Sequence, residues 1–234
     1  MSPNIGASAG LGANPAWPGD VRDGWQPIAP SESAVVWRGY IYDVATHTLE
    51  VGGETVRREI TLHPGAVSVM CLNDANQLLL LRQYRHPVGG YLFEPPAGLM
   101  DVSGETPLAA AKRELQEEAG LQAGRWNVLI DYHNSPGGST EAHRIYLARD
   151  LSEHPLGKSG GDGAEENEMT QVWLGIEQAE KLAAEGAFSN PAALIGIFAL
   201  SYAYRNQWSN LQSGDIDWQA RERLANTGRL PTRA

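Results

Sequence analysis

The segment GETPLAAAKRELQEEAGL, residues 104–121, can fold in few ways. Thr106 suits a helix N-cap, Pro107 the first helical position, and Gly120 the left-handed residue that ends a helix. At about 100° per residue, Leu108, Ala111, Leu115 and Ala119 form one apolar stripe. Glu114 and Glu118 fall together on its flank, and Glu117 lies further round. Like charges at i, i+4 repel by about 0.2–0.5 kcal/mol per pair. At the edge of a core such carboxylates cost more, unless they are protonated, paired or coordinated. Two readings follow: a solvated acidic face with Glu117 paired to Arg113, or an oxygen-rich site for a hard cation such as Mg²⁺ or Mn²⁺.

The rest of the chain supplies the context. Residues 1–30 are rich in Gly, Ala, Pro, Asn and Ser without periodicity, and a flexible tail is expected there. From Ala34 the pattern turns to β: AVVWRGYIYDV, then THTLEV, a turn at Gly52-Gly53, and ETVRREITL. These predict a small antiparallel β region over residues 31–62. The runs AVSVMCL and QLLLLRQYR, joined by the turn-forming NDAN, are apolar enough for central strands. Beyond the acidic helix, RWNVLIDYH, HRIYLARDL and TQVWLGI read as strands, and EQAEKLAAE as a short helix. NPAALIGIFALSYAYRNQW, capped by Asn190, is apolar almost all round and is expected to pack on the sheet. The organisation is then a tail (1–30), a small β region (31–62), an α/β domain (63–208) and a C-terminal segment (209–234).

Charge and composition exclude several classes. A net charge of −10 argues against general binding to nucleic acid or to an anionic membrane. No apolar run approaches the roughly 18 residues of a membrane span. The first 20 residues lack the basic and apolar regions of a signal peptide, so a cytoplasmic protein is expected. Cys71 is the single cysteine; its apolar surroundings predict a buried thiol, and no intrachain disulfide can form.

Glu105, a seven-residue gap and RELQEEAGL together resemble the box of the Nudix hydrolase family. Upstream, in EPPAGLMDVSGE, Gly98 and Glu105 are separated by six residues where the family has five, an insertion in the loop before the helix. The resemblance implies an α/β/α sandwich around a mixed sheet, with catalytic divalent metal on the acidic helix. It implies Glu114 and Glu118 as principal metal ligands, Glu117 as a further ligand, the carbonyl of Ala97 as another, and Arg113 orienting the carboxylates.

NSPGGSTEAHRIYLA, with Pro136 fifteen residues beyond Leu121, is similar to the ADP-ribose pyrophosphatase subgroup. That likeness implies Pro136, Gly137, Gly138 and Glu141 at the substrate. RREITLHPGAVSV and LLLRQYRHPVGGYLFEPPAG are similar to stretches of the same enzymes, which implies Arg58, Glu59 and Arg85 facing the nucleotide. Arg offers a fork of donors to phosphate, and Glu accepts from an adenine amino group. The Gly-rich loop ending in AEENEMTQVW resembles the one that carries the general base, for which Glu166 matches best and Glu165 and Glu168 are alternatives. The resemblance also implies a homodimer, with Tyr40 or Tyr42 near the partner's nucleotide site. The expected reaction is Mg²⁺-dependent hydrolysis of ADP-ribose to AMP and ribose 5-phosphate. The alternatives are another nucleoside diphosphate sugar, such as GDP-mannose, or a non-catalytic ligand sensor.

Overall fold

The computed structural model describes residues 21–158 and 169–231. The fold centres on β4 (Ala66–Cys71), every residue of which is buried. It runs parallel to β9 (Ala142–Glu153), with Ala66 opposite His143 and Cys71 opposite Ala148. Around this pair lie β7 (Ala97–Leu99), β8 (Leu121–His133) and β11 (Gln212–Ser213), in the order β11-β8-β9-β4-β7. A second sheet has β5 (Gln77–Arg85) between β10 (Thr170–Gly175) and β6 (Gly90–Glu94), antiparallel to both. One parallel pair among antiparallel ones makes the architecture mixed, as expected.

Strand alternation divides the interior in two. Val67, Val69, Cys71, Leu79, Leu81, Tyr146 and Ala148 face helix α1 (Pro107–Ala119). Met70, Leu72, Leu78, Leu80, Ile145 and Leu147 face α2 (Ile176–Ala184) and α3 (Pro191–Arg205). Strands apolar on both sides need a helical layer over each, and the α/β/α sandwich follows. The helix ends form as their sequences indicate. Thr106 accepts from the Ala109 N–H, Asn190 accepts from the Ala193 N–H, and Gly120 takes φ +70°.

Residues 32–62 form a three-stranded antiparallel sheet of β1 (Glu32–Arg38), β2 (Asp43–Val51) and β3 (Glu54–Leu62). Gly52 and Gly53, at φ +61° and +83°, make the two-residue hairpin turn that needs positive φ at both positions. AVVWRGYIYDV is not one strand: it breaks at Gly39, whose N–H donates to the Tyr42 carbonyl. A Cβ at Gly39 would lie 2.6 Å from the Tyr42 main-chain oxygen that closes the turn, as well as against the Trp37 ring, so the turn favours glycine. Trp37 and Tyr42 pack across it, ring centroids 5.8 Å apart, and Tyr40 stands at the tip, 94% exposed. The three aromatics therefore do not line one face of a strand.

The C-terminal segment returns to the core. Trp218, 3% exposed, joins the cluster on the α1 side. Arg144, 2% exposed, forks onto Asp131 at 2.8 Å and donates to the carbonyls of Ile216 and Asp217. On α4 (Gln219–Asn226), Arg221 donates to the Pro64 carbonyl. Among the described residues no helix is long and apolar enough to cross a membrane. Trp218→Ala should cost about 3–5 kcal/mol, the range for truncating a large buried aromatic, read as a lower urea midpoint at unchanged slope.

Candidate active site

Strand β7 threads between the two flanking carboxylates of α1. The Ala97 N–H donates to Glu118 Oε2 at 2.9 Å. One residue on, Gly98 lies so close to Glu114 that a Cβ would overlap its carboxylate. The bare backbone at Gly98 is what leaves room for the Glu114 carboxylate, which a Cβ would displace. The structure thus brings Ala97, Glu114 and Glu118 together, with Glu117 at the edge of the group.

Arg113 supplies the local positive charge. It donates to both oxygens of Glu105 at 3.0 Å, to Glu114 at 2.5 Å and to Glu117 at 3.1 Å. In the turn before the helix the Glu105 N–H donates to the Val102 carbonyl, and the Glu105 carboxylate reaches Arg113. One guanidinium for three carboxylates leaves the cluster acidic. Burial pushes the Glu114 carboxyl up to about 7; Arg113 opposes that rise, while Glu117 and Glu105 add to it. Burial, then the nearby Glu118, also push the Cys71 thiol well up, which makes it an inert core group. Among the described residues no three His, Cys, Asp or Glu side chains converge on one point as a ready metal cage.

A second feature lies beside the first. The chain at Thr61 exchanges hydrogen bonds with the 134–141 loop: its N–H donates to Gly138 and its carbonyl accepts from Thr140. Further along the same strand end, the Gly65 carbonyl accepts from the Met100 N–H, next to β7. One hydrogen-bonded seam therefore joins the acidic cluster to a cavity of 740 Å³ lined by Arg58, Pro136, Gly137 and Gly138. Glu141 closes that loop, accepting from Asn134 at 3.0 Å. Burial raises the Glu141 carboxyl, but His143, Asn134 and His63 outweigh it and hold it below its ordinary range.

Behind the loop sits an array that the sequence did not reveal. Ser68 Oγ lies 2.6 Å from His143 Nε2, and His143 Nδ1 lies 3.7 Å from Glu141. The order Ser–His–Glu mimics a nucleophile triad, but Ser68 is fully buried on a central strand where no substrate can reach it. Tyr132 stacks on His143, ring centroids 5.0 Å apart, and His143 Nδ1 is within ion-pair range of Glu141 without a hydrogen bond to it. Ser68 and His143 are 75 residues apart, so only the parallel pairing of β4 and β9 makes them neighbours.

The other expected residues fall elsewhere. Glu59 is exposed, and alternation along β3 sets it on the face opposite Arg58. Arg85 is held by Glu94 through three hydrogen bonds of 2.6–3.1 Å and does not line the cavity. Tyr40 stands exposed at its turn tip, on the β region expected to meet a partner protomer. Glu165, Glu166 and Glu168 lie outside the described residues.

The NUDIX domain family matches residues 62–193. The chain belongs to that family. An ADP-ribose pyrophosphatase of Mycobacterium tuberculosis is 40% identical over 167 residues, 71% of this chain and 79% of the relative. A GDP-mannose pyrophosphatase of Klebsiella pneumoniae is 30% identical over 196 residues, 80% of this chain and 92% of the relative. The crystal structure of an ADP compounds hydrolase superposes with a TM-score of 0.67 at 23% identity, covering 80% of this chain and 98% of that one, and shares the fold.

Gly98→Ala should displace either β7 or Glu114 and cost about 1–3 kcal/mol, the usual penalty of overpacking. The same change at Gly137, where a Cβ would meet nothing within 4 Å, should cost much less. Thermal melts of the two variants compare them directly.

Proposed function

We propose that the chain hydrolyses the pyrophosphate of ADP-ribose to AMP and ribose 5-phosphate, with a divalent cation, Mg²⁺ or Mn²⁺, at the acidic cluster. The observation that carries this reading is the wedging of Ala97-Gly98 between Glu118 and Glu114. Buried hard-oxygen donors meet at a backbone cradle that a single Cβ would fill. Such a donor set suits a hard cation, which Glu114, Glu118, Glu117 and the Ala97 carbonyl would hold. When bound, the cation supplies charge neutralisation for the pyrophosphate and acidifies an attacking water.

The chain's own residues do the rest. Glu166 takes the proton of the water that attacks phosphorus, while the bond to the bridging oxygen breaks and the second phosphate leaves. Arg58, beside the 136–138 turn, holds phosphate oxygens. Arg113 keeps Glu114 and Glu117 oriented, and Glu141 is a substrate contact. The substrate choice is supported by 40% identity to an ADP-ribose pyrophosphatase against 30% to a GDP-mannose pyrophosphatase, and the second substrate belongs in the same assay.

Residues 31–62 serve as a dimerisation element in this reading. The exposed Tyr40 of one protomer reaches the nucleotide site of its partner, which accounts for a bulky aromatic held out at a turn tip. Sedimentation should give a dimer, and a fully active 25.3 kDa species would refute the shared site.

The decisive assay is ADP-ribose turnover with and without Mg²⁺, with product identification. Glu118→Gln should fold, yet lose at least the ~10–100-fold that even outer-shell changes cost a metal site. Near wild-type turnover would remove Glu118 from the ligand set. Glu166→Gln should lower kcat by about 10²–10⁴-fold with little change in KM, the share of a general base. An equal loss at Glu168 instead, with Glu166 normal, would move the base two residues along.

A further inference from the structure

Strand β7 meets the acidic cluster through its main chain, so its placement sets the geometry of the cluster. It lies at the edge of its sheet and pairs only with β4, Ala97 opposite Ser68, Gly98 opposite Val67 and Leu99 opposite Ala66. One step further on, at Gly65 and Met100, half of the ladder is missing. Residues in a hydrogen-bonded antiparallel pair exchange two bonds. Here the Met100 N–H donates to the Gly65 carbonyl at 3.0 Å, but the Gly65 N–H donates to His63 Nδ1 instead, at 3.1 Å. Gly65, at φ +92°, has left the extended conformation. The Met100 carbonyl is thereby deprived of its ladder donor, on a residue only 2% exposed.

Arg221 of α4 takes the place of that donor. Its Nε donates to the Pro64 carbonyl at 3.0 Å, and its Nη2 reaches the Met100 carbonyl in a long hydrogen bond of 3.4 Å. One guanidinium thus bridges the last carbonyls of the two strands where their pairing stops. Its stem packs on Gly65, Cδ lying 3.7 Å from where a Cβ would stand. A buried carbonyl without a donor costs about 1–3 kcal/mol, so the fork has a definite task.

The surroundings show that Arg221 is not there for an ion pair. The side chain is half-buried, and burial alone, with no carboxylate opposing it, holds its proton affinity below the ordinary range. α4 has no fully buried residue, so a long side chain on it could have stayed in water. It turns inward to main-chain oxygens three residues past Ala97. The residue also lies outside 62–193, the span of the family match, so the clamp comes from the C-terminal segment rather than from the family's own domain.

We infer that Arg221 is a positioning residue for the acidic cluster. By closing the open end of the β4–β7 ladder it holds Ala97 and Gly98 in place against Glu118 and Glu114. Its consequence for cation binding rests on the reading of that cluster given above; its hold on the strand does not.

Two measurements on the full-length chain separate these claims. The first is amide hydrogen exchange in EDTA. Arg221→Met, which keeps the stem and removes the donors, should speed exchange at Ala97 and Met100 about 10-fold, as expected for one lost hydrogen bond. The second is Mn²⁺ affinity without nucleotide, read by electron paramagnetic resonance. It should fall about 10–100-fold, the usual effect of losing an outer partner of a metal site. Arg221→Lys, which keeps the charge but cannot fork, should fall between Met and wild type in both, and carries the test if the Met variant does not fold. Leu200→Ala, in the core on the other side of the sheet, should lower the urea midpoint and leave Mn²⁺ affinity unchanged. Wild-type exchange at Ala97 and Met100 in the Met variant would overturn the proposal, as would wild-type values in Arg221→Lys. Faster exchange with unchanged Mn²⁺ affinity, or an equal loss of affinity in Leu200→Ala, would overturn it too. Faster exchange in a chain whose wild type binds no Mn²⁺ would uphold the hold of Arg221 on the strand and refute the cation reading alone.

Discussion

Buried negative charge on one face of α1 is the constraint to which the neighbouring structure answers. Glu118 is 8% exposed and Glu114 lies against a backbone with no side chain of its own. Carboxylates in that setting need donors or cations at close range. Two groups supply them, the Ala97 N–H and the guanidinium of Arg113, and the missing Cβ at Gly98 lets strand and helix meet. The strand that makes this contact is three residues long.

The two-faced sheet makes such a cluster tolerable. β4 and β5 bury alternate side chains in separate cores, so neither strand can slip by one residue without exchanging its two faces. That fixed register sets β7 against α1. The same parallel pairing of β4 with β9 places Ser68 beside His143, next to the loop at the cavity. Site geometry and core packing are thus two consequences of one strand alignment.

Arginine plays opposite parts on the two sides of the C-terminal segment. Arg144 and Arg221 satisfy main-chain carbonyls and seat the segment on the core. Arg223 and Arg229 line a cavity that, among the described residues, no Asp or Glu lines. A polar segment of this kind has no hydrophobic period. Its attachment depends on one buried tryptophan and on carbonyls that interior guanidinium groups can reach, as at Trp218 and Arg144. Neither signal stands out in a sequence where Trp and Arg are also found at the surface.

The sequence by itself determined what local chemistry can encode. The caps at Thr106, Asn190 and Gly120, the Gly52-Gly53 turn, the central runs around Met70 and Leu80, and the spacing of Glu114 and Glu118 are all written within a few residues of where they act. The break at Gly39 is not legible locally because apolar and aromatic residues flank it on both sides, and the main-chain obstruction that favours glycine, the Tyr42 carbonyl, is brought near only by the folded turn. Only the tertiary structure decided which carboxylate meets which backbone group, that Glu59 and Arg58 face opposite ways, that Arg85 is held by Glu94, and that residues 24–27 and 219–229 close one cavity. Those are contacts between elements far apart in the chain. Their partners are chosen by strand register and packing, which no short stretch of sequence contains.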